Sequence, residues 1–406
     1  MQDKVIKILY IHHSGGWGGA ASCLINLIKN LDRTKYYPEV LLLKQSEIAE
    51  KLAENNISYS VSGFKFYNKY YHFFAHSEAG YIKWYQIYKL IIEGLSWILS
   101  RYFYAKRELS LHDFDIIHLN SSVLTDWLAP AKKRGKVVIH VREPFRKGIM
   151  DLFHHIFKTI IRKNADQVIA ISEDNAKRLD IREKTCVIYD FCEITQKMPS
   201  ESSYGSGHVL YLGGSSTSKG FYTMAEVLDF LDKDVKVYFG GKYVITKNPQ
   251  NLLSLIKFNF SRAKRRNAAI KKINDHPNAI MLGLIYNVEV YLDEVCCLVS
   301  PFSVPHFSFP VVEANCHLKP AIGSDVEGMN EIIDHETTGL IVEKNNPMAL
   351  ANAINSMTAD SRKAKRLGEA GYIRALERFS PGNIKSVERL YDNLLFDDKQ
   401  TSGVAL

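Results

Sequence analysis

The sequence predicts an α/β fold with two doubly wound domains, each built on a parallel sheet. Short apolar segments of strand length alternate with longer helical patterns along almost all of the 406 residues. Continuous apolar strands separated by helices are typical of parallel sheets that are covered on both faces. A polar stretch rich in Ser, Gly and Pro, "EITQKMPSESSYGSGH" at 193–208, interrupts this alternation near the middle. Two domains joined by a linker follow from these observations.

The strand patterns form two series along the chain. The first is VIKILYI, EVLLL, DIIHL, KVVIHV and QVIAI, and the second is HVLYLGG, VKVYFGG, AIMLG and CCLVSP. We place the first domain at 1–195, the linker at 196–207 and the second domain at 208–380. A last helix within 381–406, with Pro381 at its first position, carries an apolar stripe that must pack against another surface.

A glycine cluster lies in "YIHHSGGWGGAASCLINLI", between the first strand and the first helix. Its four members are Gly15, Gly16, Gly18 and Gly19. Glycine either permits backbone angles closed to other residues or lets a ligand approach the main chain. The amides of a helix start attract anions, typically phosphate, whereas a tight turn without a ligand is the alternative. A nicotinamide site is less favoured, because Lys44 and Gln45 stand where such a domain needs an acidic residue.

Two further segments, in the second domain, point to a nucleotide. The segment "LGGSSTSKGF" contains Lys219, but no Gly precedes this lysine and no Ser or Thr follows it, so the P-loop pattern and its magnesium ligand are missing. What remains is one cation on a tight turn, sufficient to pair with a diphosphate. The segment "FPVVEANCHL" begins a helix with Glu313 in its early turns. This carboxylate can accept hydrogen bonds from ribose hydroxyls, or it can simply complement the helix dipole.

Composition and the remaining motifs narrow the choice of function. A net charge of +8 is too small to predict nucleic-acid binding, although it suits a phosphorylated substrate or an anionic membrane surface. Six cysteines without framework spacing, no signal-peptide pattern and no membrane-spanning segment predict a cytoplasmic protein. The acids of "DFD" at 113–115 could hold a metal, yet solvated acids are common at such a strand entry. We expect no metal, no cofactor and no hydrolase nucleophile.

The segment 64–104 departs from the rest of the chain, since 15 of its residues are aromatic and Lys and Arg are interleaved with them. Membrane-surface helices have this composition. The alternative is a helical insertion that buries its aromatic side chains against the first domain.

The second domain contains, in order, F-S-F-P-V-V-E-A, K-P-A-I-G-S-D, G-M-N-E-I-I and T-G-L-I-V. This order resembles the signature of glycosyltransferase family 4, the retaining enzymes that use nucleotide sugars. GGWGGAASCLINLI, NADQVIAISEDNAKRL and VLYLGGSSTSKG are similar to other motifs of the family. The resemblance therefore covers nearly the whole chain.

The resemblance implies the GT-B architecture, in which two Rossmann-like domains face each other across a cleft. The first domain, with an insertion at about 64–110, would take the acceptor, and the second would bind the nucleotide sugar. The last helix would cross back to the first domain.

The family's site residues can be carried over by position. The implied donor-binding residues are Gly15, Gly16, Gly18, Gly19, Gly214, Lys219, Ser308, Phe309 and Glu313. The implied catalytic residues are His140, Arg142 and Lys219, with His140 near the transferred sugar and Glu143 close by. His118 is a second candidate, or a structural histidine at a strand end.

Two positions depart from the family pattern. Pro305 stands where the family has a glutamate, and Gly214 stands where it has an arginine. Arg142 or Arg146 would compensate in an active enzyme, whereas a chain that binds the donor without transferring it would need no compensation.

The expected function is retaining transfer of a sugar from a nucleotide diphosphate donor, with UDP as the expected nucleotide, to a glycan or lipid-linked acceptor. Surface polysaccharide or glycolipid synthesis at the inner face of a membrane would use such a reaction. A catalytically inactive partner subunit and a nucleotide-sugar epimerase are the alternatives. No metal, cofactor or nucleic acid is expected.

Overall fold

The computed structural model describes residues 5–13, 16–68, 87–148, 150–246 and 262–396. It divides into two compact units. Unit 1 comprises Met1–Cys192 together with Pro381–Leu406, and unit 2 comprises Glu193–Ser380. Each unit is a parallel sheet with helices, as the sequence predicts.

Unit 1 contains seven strands among its described residues, in the order β3-β2-β1-β4-β5-β6-β7. The strands are β1 Ile6–His12, β2 Tyr36–Leu42, β3 Ser58–Val61, β4 Ile116–Leu119, β5 Lys136–Val141, β6 Gln167–Ala170 and β7 Thr185–Val187. Its helices are α1 Gly19–Asn30, α2 Glu47–Glu54, α3 Ile87–Leu99, α4 Ala105–Leu109, α5 Thr125–Lys132, α6 Leu152–Asn164 and α7 Glu173–Leu179, with α15 Ile384–Phe396 at the end of the chain. The order reverses between β1 and β4, which makes their carboxyl ends the switch point of the sheet.

Alternate residues of β1 enter two separate cores. Ile8 and Tyr10 belong to the core that α1 and α15 cover, whereas Leu9 and Ile11 belong to the core on the opposite face. Burial on both faces explains why these strands are continuously apolar in sequence.

The last helix, α15, is fixed to unit 1 by polar as well as apolar contacts. Tyr36 donates a hydrogen bond to Asp392 (2.7 Å), and the hydroxyls of Tyr10 and Tyr391 lie 2.9 Å apart. Lys35 forms an ion pair with Asp392 at 2.6 Å. The apolar stripe of this helix therefore packs on the sheet of unit 1.

Unit 2 contains six strands among its described residues, in the order β10-β9-β8-β11-β12-β13. They are β8 His208–Tyr211, β9 Lys236–Gly240, β10 Ala279–Gly283, β11 Cys297–Ser300, β12 Ala321–Ser324 and β13 Gly339–Val342. The helices are α8 Glu201–Tyr204, α9 Phe221–Val227, α10 Arg262–Asp275, α11 Glu289–Leu292, α12 Phe309–Cys316, α13 Pro347–Ala359 and α14 Ser361–Arg378. Here the switch point lies between β8 and β11.

The stretch expected to be a linker, 196–207, packs on unit 2. Helix α8 lies within it, and its Tyr204 is buried and donates a hydrogen bond to the carbonyl of Leu318 (2.9 Å). The ammonium of the fully buried Lys319 lies 4.3 Å from the centroid of the Tyr204 ring. The polar composition of this stretch gave no indication that Tyr204 packs on unit 2.

The expectation that the segment buries aromatic side chains against the first domain is met in part, although residues 69–86 lie outside the described chain. Phe64, Phe66 and Tyr104 pack against the core of unit 1, and the rings of Phe66 and Tyr104 are stacked with centroids 4.2 Å apart. Large apolar residues of α3 and of the following π-helical turn, Ser100–Tyr104, are exposed instead. Within the described part of the chain, no helix is both long and apolar enough to cross a membrane.

Candidate functional site

The carboxyl edge of the unit 1 sheet carries a cluster of polar side chains on one face. Tyr10 of β1 lies beside His118 of β4, and His140 lies on the next strand, β5. One step further along the same face stand His12, Asn120 and Arg142. Doubly wound sheets bind ligands at this edge, near the switch point.

Arg142 is the centre of this cluster. Its buried guanidinium forms an ion pair with Asp190 and donates from Nε to Oδ1 of Asn120 (2.9 Å). A third hydrogen bond runs from Nη2 to Nδ1 of His140 (3.3 Å). A guanidinium only donates, so every partner atom facing it must accept.

This restriction orients the amide of Asn120 and, through it, the ring of His12. Because Oδ1 of Asn120 faces Arg142, its Nδ2 must donate to Nδ1 of His12 (3.0 Å) and to the carbonyl of Ala20 (3.2 Å). Burial, together with the nearby charges of His13 and Arg142, lowers the pKa of His12 well below its usual value. The neutral ring therefore carries its proton on Nε2, and this buried atom has no hydrogen-bond partner among the described residues.

The ring of His140 is also neutral and also carries its proton on Nε2. Its Nδ1 accepts from Arg142, and burial followed by the charge of Arg142 lowers its pKa well below the usual value. Its Nε2 is likewise buried without a partner in the described structure. The edge of unit 1 thus presents two uncharged N–H donors, one of which, on His12, the sequence analysis did not predict.

Three neighbours of this cluster have structural partners. Both ring nitrogens of His118 are occupied, one by Tyr391 (2.7 Å) and one by His140 (3.2 Å). Glu143 accepts hydrogen bonds from the hydroxyls of Ser121 (2.6 Å) and Ser122 (3.0 Å). Arg146 is paired with Asp151 at 2.7 Å.

The glycine loop lies beside this edge, although Gly15 falls outside the described residues. A Cβ added at Gly16 or Gly18 would meet no heavy atom within 4 Å, so packing does not require glycine at either position. Helix α1 begins at Gly19 with no side-chain cap and no acidic residue in its first turn. Its first amides are suited to an anion.

The second cluster lies at the switch point of unit 2. Lys219 follows β8 and Glu313 follows β11, and the amide of Ser303 donates to the carbonyl of Ser218 (2.9 Å) to join the two loops. A small pocket lies beside Lys219 and is also lined by Phe302.

Lys219 and Glu313 both lie at this switch point, and the charge of each affects the pKa of the other. Burial lowers the pKa of Lys219, and the charge of Glu313 partly opposes this shift. Burial and the charge of Glu289 raise the pKa of Glu313 to about 8, against the opposing effect of Lys219. The charged forms of both side chains are therefore poorly solvated. Such a charge interacts more strongly with an ionic ligand than a well-solvated charge does.

Helix α12 begins beside this pair without a side-chain cap. Ser308 occupies the N-cap position, but its hydroxyl is paired with that of Ser300 (2.7 Å). The amide of Phe309, the first helical residue, is therefore not capped by Ser308, and Pro310 has no amide hydrogen to donate.

Comparison with known proteins agrees with this arrangement. Residues 17–193 match the model of Glycosyltransferase Family 4, and residues 207–374 match that of Glycosyl transferases group 1. The chain belongs to the GT4-type glycosyltransferases. An uncharacterised glycosyltransferase of Methanocaldococcus jannaschii is 22% identical over 307 residues, which are 74% of this chain and 82% of the relative.

Solved structures show that this glycosyltransferase has the GT-B fold. Anabaena HepE in complex with UDP and glucose aligns with a TM-score of 0.73 at 19% identity, over 96% of this chain and all of that one. S. aureus TarM, in a complex that contains UDP, aligns with a TM-score of 0.69 at 13% identity, over 94% and 98%.

The two departures from the family pattern have structural explanations in this glycosyltransferase. Gly214 has a φ of +53°, and a Cβ there would lie 2.6 Å from the carbonyl oxygen of Lys242, so the family's arginine does not fit. The amide of Gly214, an expected donor-binding residue, donates to the carbonyl of Gly240 (3.1 Å). The loop needs glycine at this position for its shape.

At the other departure, Pro305 is followed by a histidine that the sequence analysis missed. The ring of His306 stacks on Phe302 with centroids 4.1 Å apart. Burial and the charge of Lys219 lower its pKa to about 3. A neutral imidazole therefore lies near the position where the family has a carboxylate.

The described part of the chain contains no group of three or more His, Cys, Asp or Glu side chains placed to hold a metal ion. The acids of the "DFD" segment contact Lys7, since Asp113 pairs with its ammonium and Asp115 accepts from its amide (2.9 Å).

Proposed function

We propose that this glycosyltransferase transfers a sugar with retention from a nucleotide diphosphate donor, with UDP as the first candidate nucleotide. The observation that carries the proposal is that Lys219 and Glu313 follow the adjacent strands β8 and β11 at the switch point of unit 2, where α12 begins without a side-chain cap. A nucleoside diphosphate leaves readily only when its developing charge is stabilised by fixed cations and amide dipoles. UDP in the HepE and TarM complexes supports this choice of nucleotide.

Each residue has a defined part in the proposed reaction. Lys219 and the first amide of α12 stabilise the departing diphosphate, and Glu313 accepts hydrogen bonds from the ribose hydroxyls. The N–H of His140 donates to an oxygen of the transferred sugar. Retention requires no protein nucleophile in this scheme, and the lysine supplies the positive charge that a metal ion would otherwise provide.

The test is nucleotide release from a panel of donors. The protein is incubated with UDP-glucose, UDP-galactose, UDP-N-acetylglucosamine and GDP-mannose, with and without EDTA, and the released nucleoside diphosphate and the anomeric configuration of the product are measured. We expect release from at least one donor, unaffected by EDTA, and loss of release in Glu313→Gln. The matched control Glu294→Gln, an exposed acid in the same unit, keeps the activity.

Other outcomes of the panel identify the alternatives. The replacement of the family's glutamate by Pro305 and of its arginine by Gly214 favours a donor-binding but inactive subunit as the second candidate. That subunit would bind UDP without releasing it from any donor. An epimerase would change the sugar of the donor without releasing the nucleotide.

We further propose that the enzyme acts on a lipid-linked acceptor, or a glycan, at the cytoplasmic surface of an anionic membrane. An exposed apolar stripe follows one side of α3 and the turn after it. Its members are Tyr88, Ile91, Ile92, Leu95, Ile98, Leu99, Tyr102 and Phe103. The exposed cations Lys106 and Arg107 continue the stripe. Aromatic and aliphatic residues next to basic ones favour an anionic lipid surface over a second protein copy.

Vesicle flotation tests this surface. The paired variant Ile91→Asp with Leu95→Asp should lose binding to vesicles that contain phosphatidylglycerol, whereas Ile373→Asp with Leu376→Asp, at exposed apolar positions on α14, should keep it. Equal flotation of both variants would contradict the membrane proposal. So would a stripe variant that changes only the oligomeric state.

A further inference from the structure

A chain of hydrogen bonds connects the last helix of the protein to His140. The hydroxyl of Tyr10 lies 2.9 Å from that of Tyr391, and the latter lies 2.7 Å from Nδ1 of His118. Nε2 of His118 is 3.2 Å from Nδ1 of His140. The four side chains are buried, and α15 supplies the tyrosine in the middle of the chain.

The direction of every bond follows from the donor at one end. Since the guanidinium of Arg142 donates to Nδ1 of His140, that nitrogen is an acceptor, and His118 must also approach it with an N–H. Burial and the charge of Arg142 lower the pKa of His118 to about 3, so its ring has only this one proton. Its Nδ1 must then accept from the hydroxyl of Tyr391.

The chain has only one consistent arrangement of protons. Tyr391 donates to His118 and accepts from the hydroxyl of Tyr10, so both hydroxyls are satisfied. The unused donor at the other end is Nε2–H of His140, which has no partner among the described residues. A buried donor of this kind gains free energy when a ligand oxygen meets it.

We propose that Tyr391 is a positioning residue that keeps His118 in the tautomer which donates to His140, so that His118 and Arg142 together hold His140 in its neutral Nε2–H form. His140 then serves as a hydrogen-bond donor to a ligand oxygen and not as a base. Only the identity of that oxygen, an atom of the transferred sugar, rests on the proposed function; the position of the proton does not.

Removal of one hydroxyl separates this role from simple packing. Tyr391→Phe deprives Nδ1 of His118 of its donor, so nothing then fixes His118 in the tautomer that donates to His140. Nδ1 of His140 then depends on its weaker, 3.3 Å hydrogen bond from Arg142 alone. Tyr10→Phe is the matched control, because it also removes a buried hydroxyl but leaves Tyr391 able to donate to His118.

The tautomers are read by ¹⁵N–¹H correlation spectra of the full chain labelled on histidine, with His140→Asn used for assignment. We expect wild-type His140 to be protonated at Nε2 only and not to titrate between about pH 6 and 8. Tyr391→Phe should give a mixture of tautomers, and Tyr10→Phe should resemble the wild type. These spectra need no substrate. They therefore test the position of the proton even if the protein releases nucleotide from none of the donors.

Kinetics with the donor found by the panel give a second measurement. In Tyr391→Phe, kcat should fall about tenfold with KM changed less than about twofold, whereas Tyr10→Phe should stay within about twofold on both. A wild-type His140 that is protonated at Nδ1 overturns the proposal. Equal spectra for the two phenylalanine variants overturn the positioning role of Tyr391.

Discussion

The two clusters of polar residues differ in how their charges are balanced. In unit 1, the guanidinium of Arg142 is neutralised by Asp190, and the histidines around it are uncharged. In unit 2, Lys219 and Glu313 are poorly solvated charges beside an uncapped helix start. The first arrangement is suited to the oxygens of a sugar, and the second to the charges of a nucleotide.

This difference in charge balance predicts that the first cluster matters for the stability of the fold and the second for binding and catalysis. A buried ion pair that joins several side chains is part of the fold, so its loss should destabilise unit 1. A buried charge that awaits an ionic ligand contributes little to the fold, and its loss should affect binding and catalysis. The predictions below test this separation, beginning with the largest expected effect.

Arg142→Met should lower the free energy of unfolding of unit 1 by roughly 3–5 kcal/mol, because it leaves Asp190 buried and unpaired. All four tryptophans of the sequence, at 17, 84, 97 and 127, lie in unit 1. Their fluorescence during urea unfolding therefore reports on this unit. A loss below about 1 kcal/mol would show that the pair does not stabilise the fold as described.

Lys219→Met should lower kcat/KM by about 10²- to 10³-fold, since it removes the cation proposed to stabilise the leaving diphosphate. The melting temperature should not fall, because the methionine removes a charge that burial destabilises. Lys233→Met, at an exposed lysine in the same unit, is the control and should keep full activity. Loss of stability without loss of activity would show that Lys219 supports the fold and not the reaction.

The affinity for UDP should rise about eightfold between pH 7 and 8.5, because Glu313, with a pKa of about 8, must ionise before it can accept from both ribose hydroxyls. The contribution of Glu313 to the stability of the fold depends on pH in the opposite direction. The folded state holds this proton more tightly than the unfolded state, so the contribution of Glu313 to stability falls as pH rises from about 4.5 to 8.

Calorimetric titration with UDP measures this dependence. Glu313→Gln should bind more weakly at pH 8.5 and show a flat profile. Glu289→Gln should shift the rise to lower pH, because it removes the like charge that helps to raise the pKa of Glu313. A profile that stays unchanged in Glu313→Gln would remove this carboxylate from the site.

Ser308→Ala should have the smallest effect, costing about 1 kcal/mol, because it leaves the hydroxyl of Ser300 without its partner. The affinity for UDP should change less than about twofold, because the Ser308 side chain does not cap α12. Thermal unfolding and titration with UDP measure the two quantities. A large loss of affinity would mean that the hydroxyl turns toward the ligand.

The sequence predicted the fold because its signals are local. Apolar strands such as those at β5 and β11 are buried on both faces and are visible as continuous runs. The placement of Lys219 and Glu313 at one switch point was also within reach, because Lys219 ends the turn after β8 and Glu313 lies in the helix that follows the adjacent strand β11. The roles assigned to them remain predictions.

The network in unit 1 could not be predicted in the same way. It joins positions 10, 118, 140 and 391, which no local pattern connects. His12 offered one usable signal, since it ends β1 directly before the glycine loop, on the same face as Tyr10. The shape of the loop at Gly214 depends on the backbone of Lys242, which lies far from Gly214 in the sequence.

The return of α15 to the first sheet has a consequence for the synthesis of the protein. A nascent chain on the ribosome completes both sheets before Tyr391 is translated, so its histidine pair lacks the phenol that sets the proton. The two histidines acquire this phenol only after α15 has been made and has packed on the sheet.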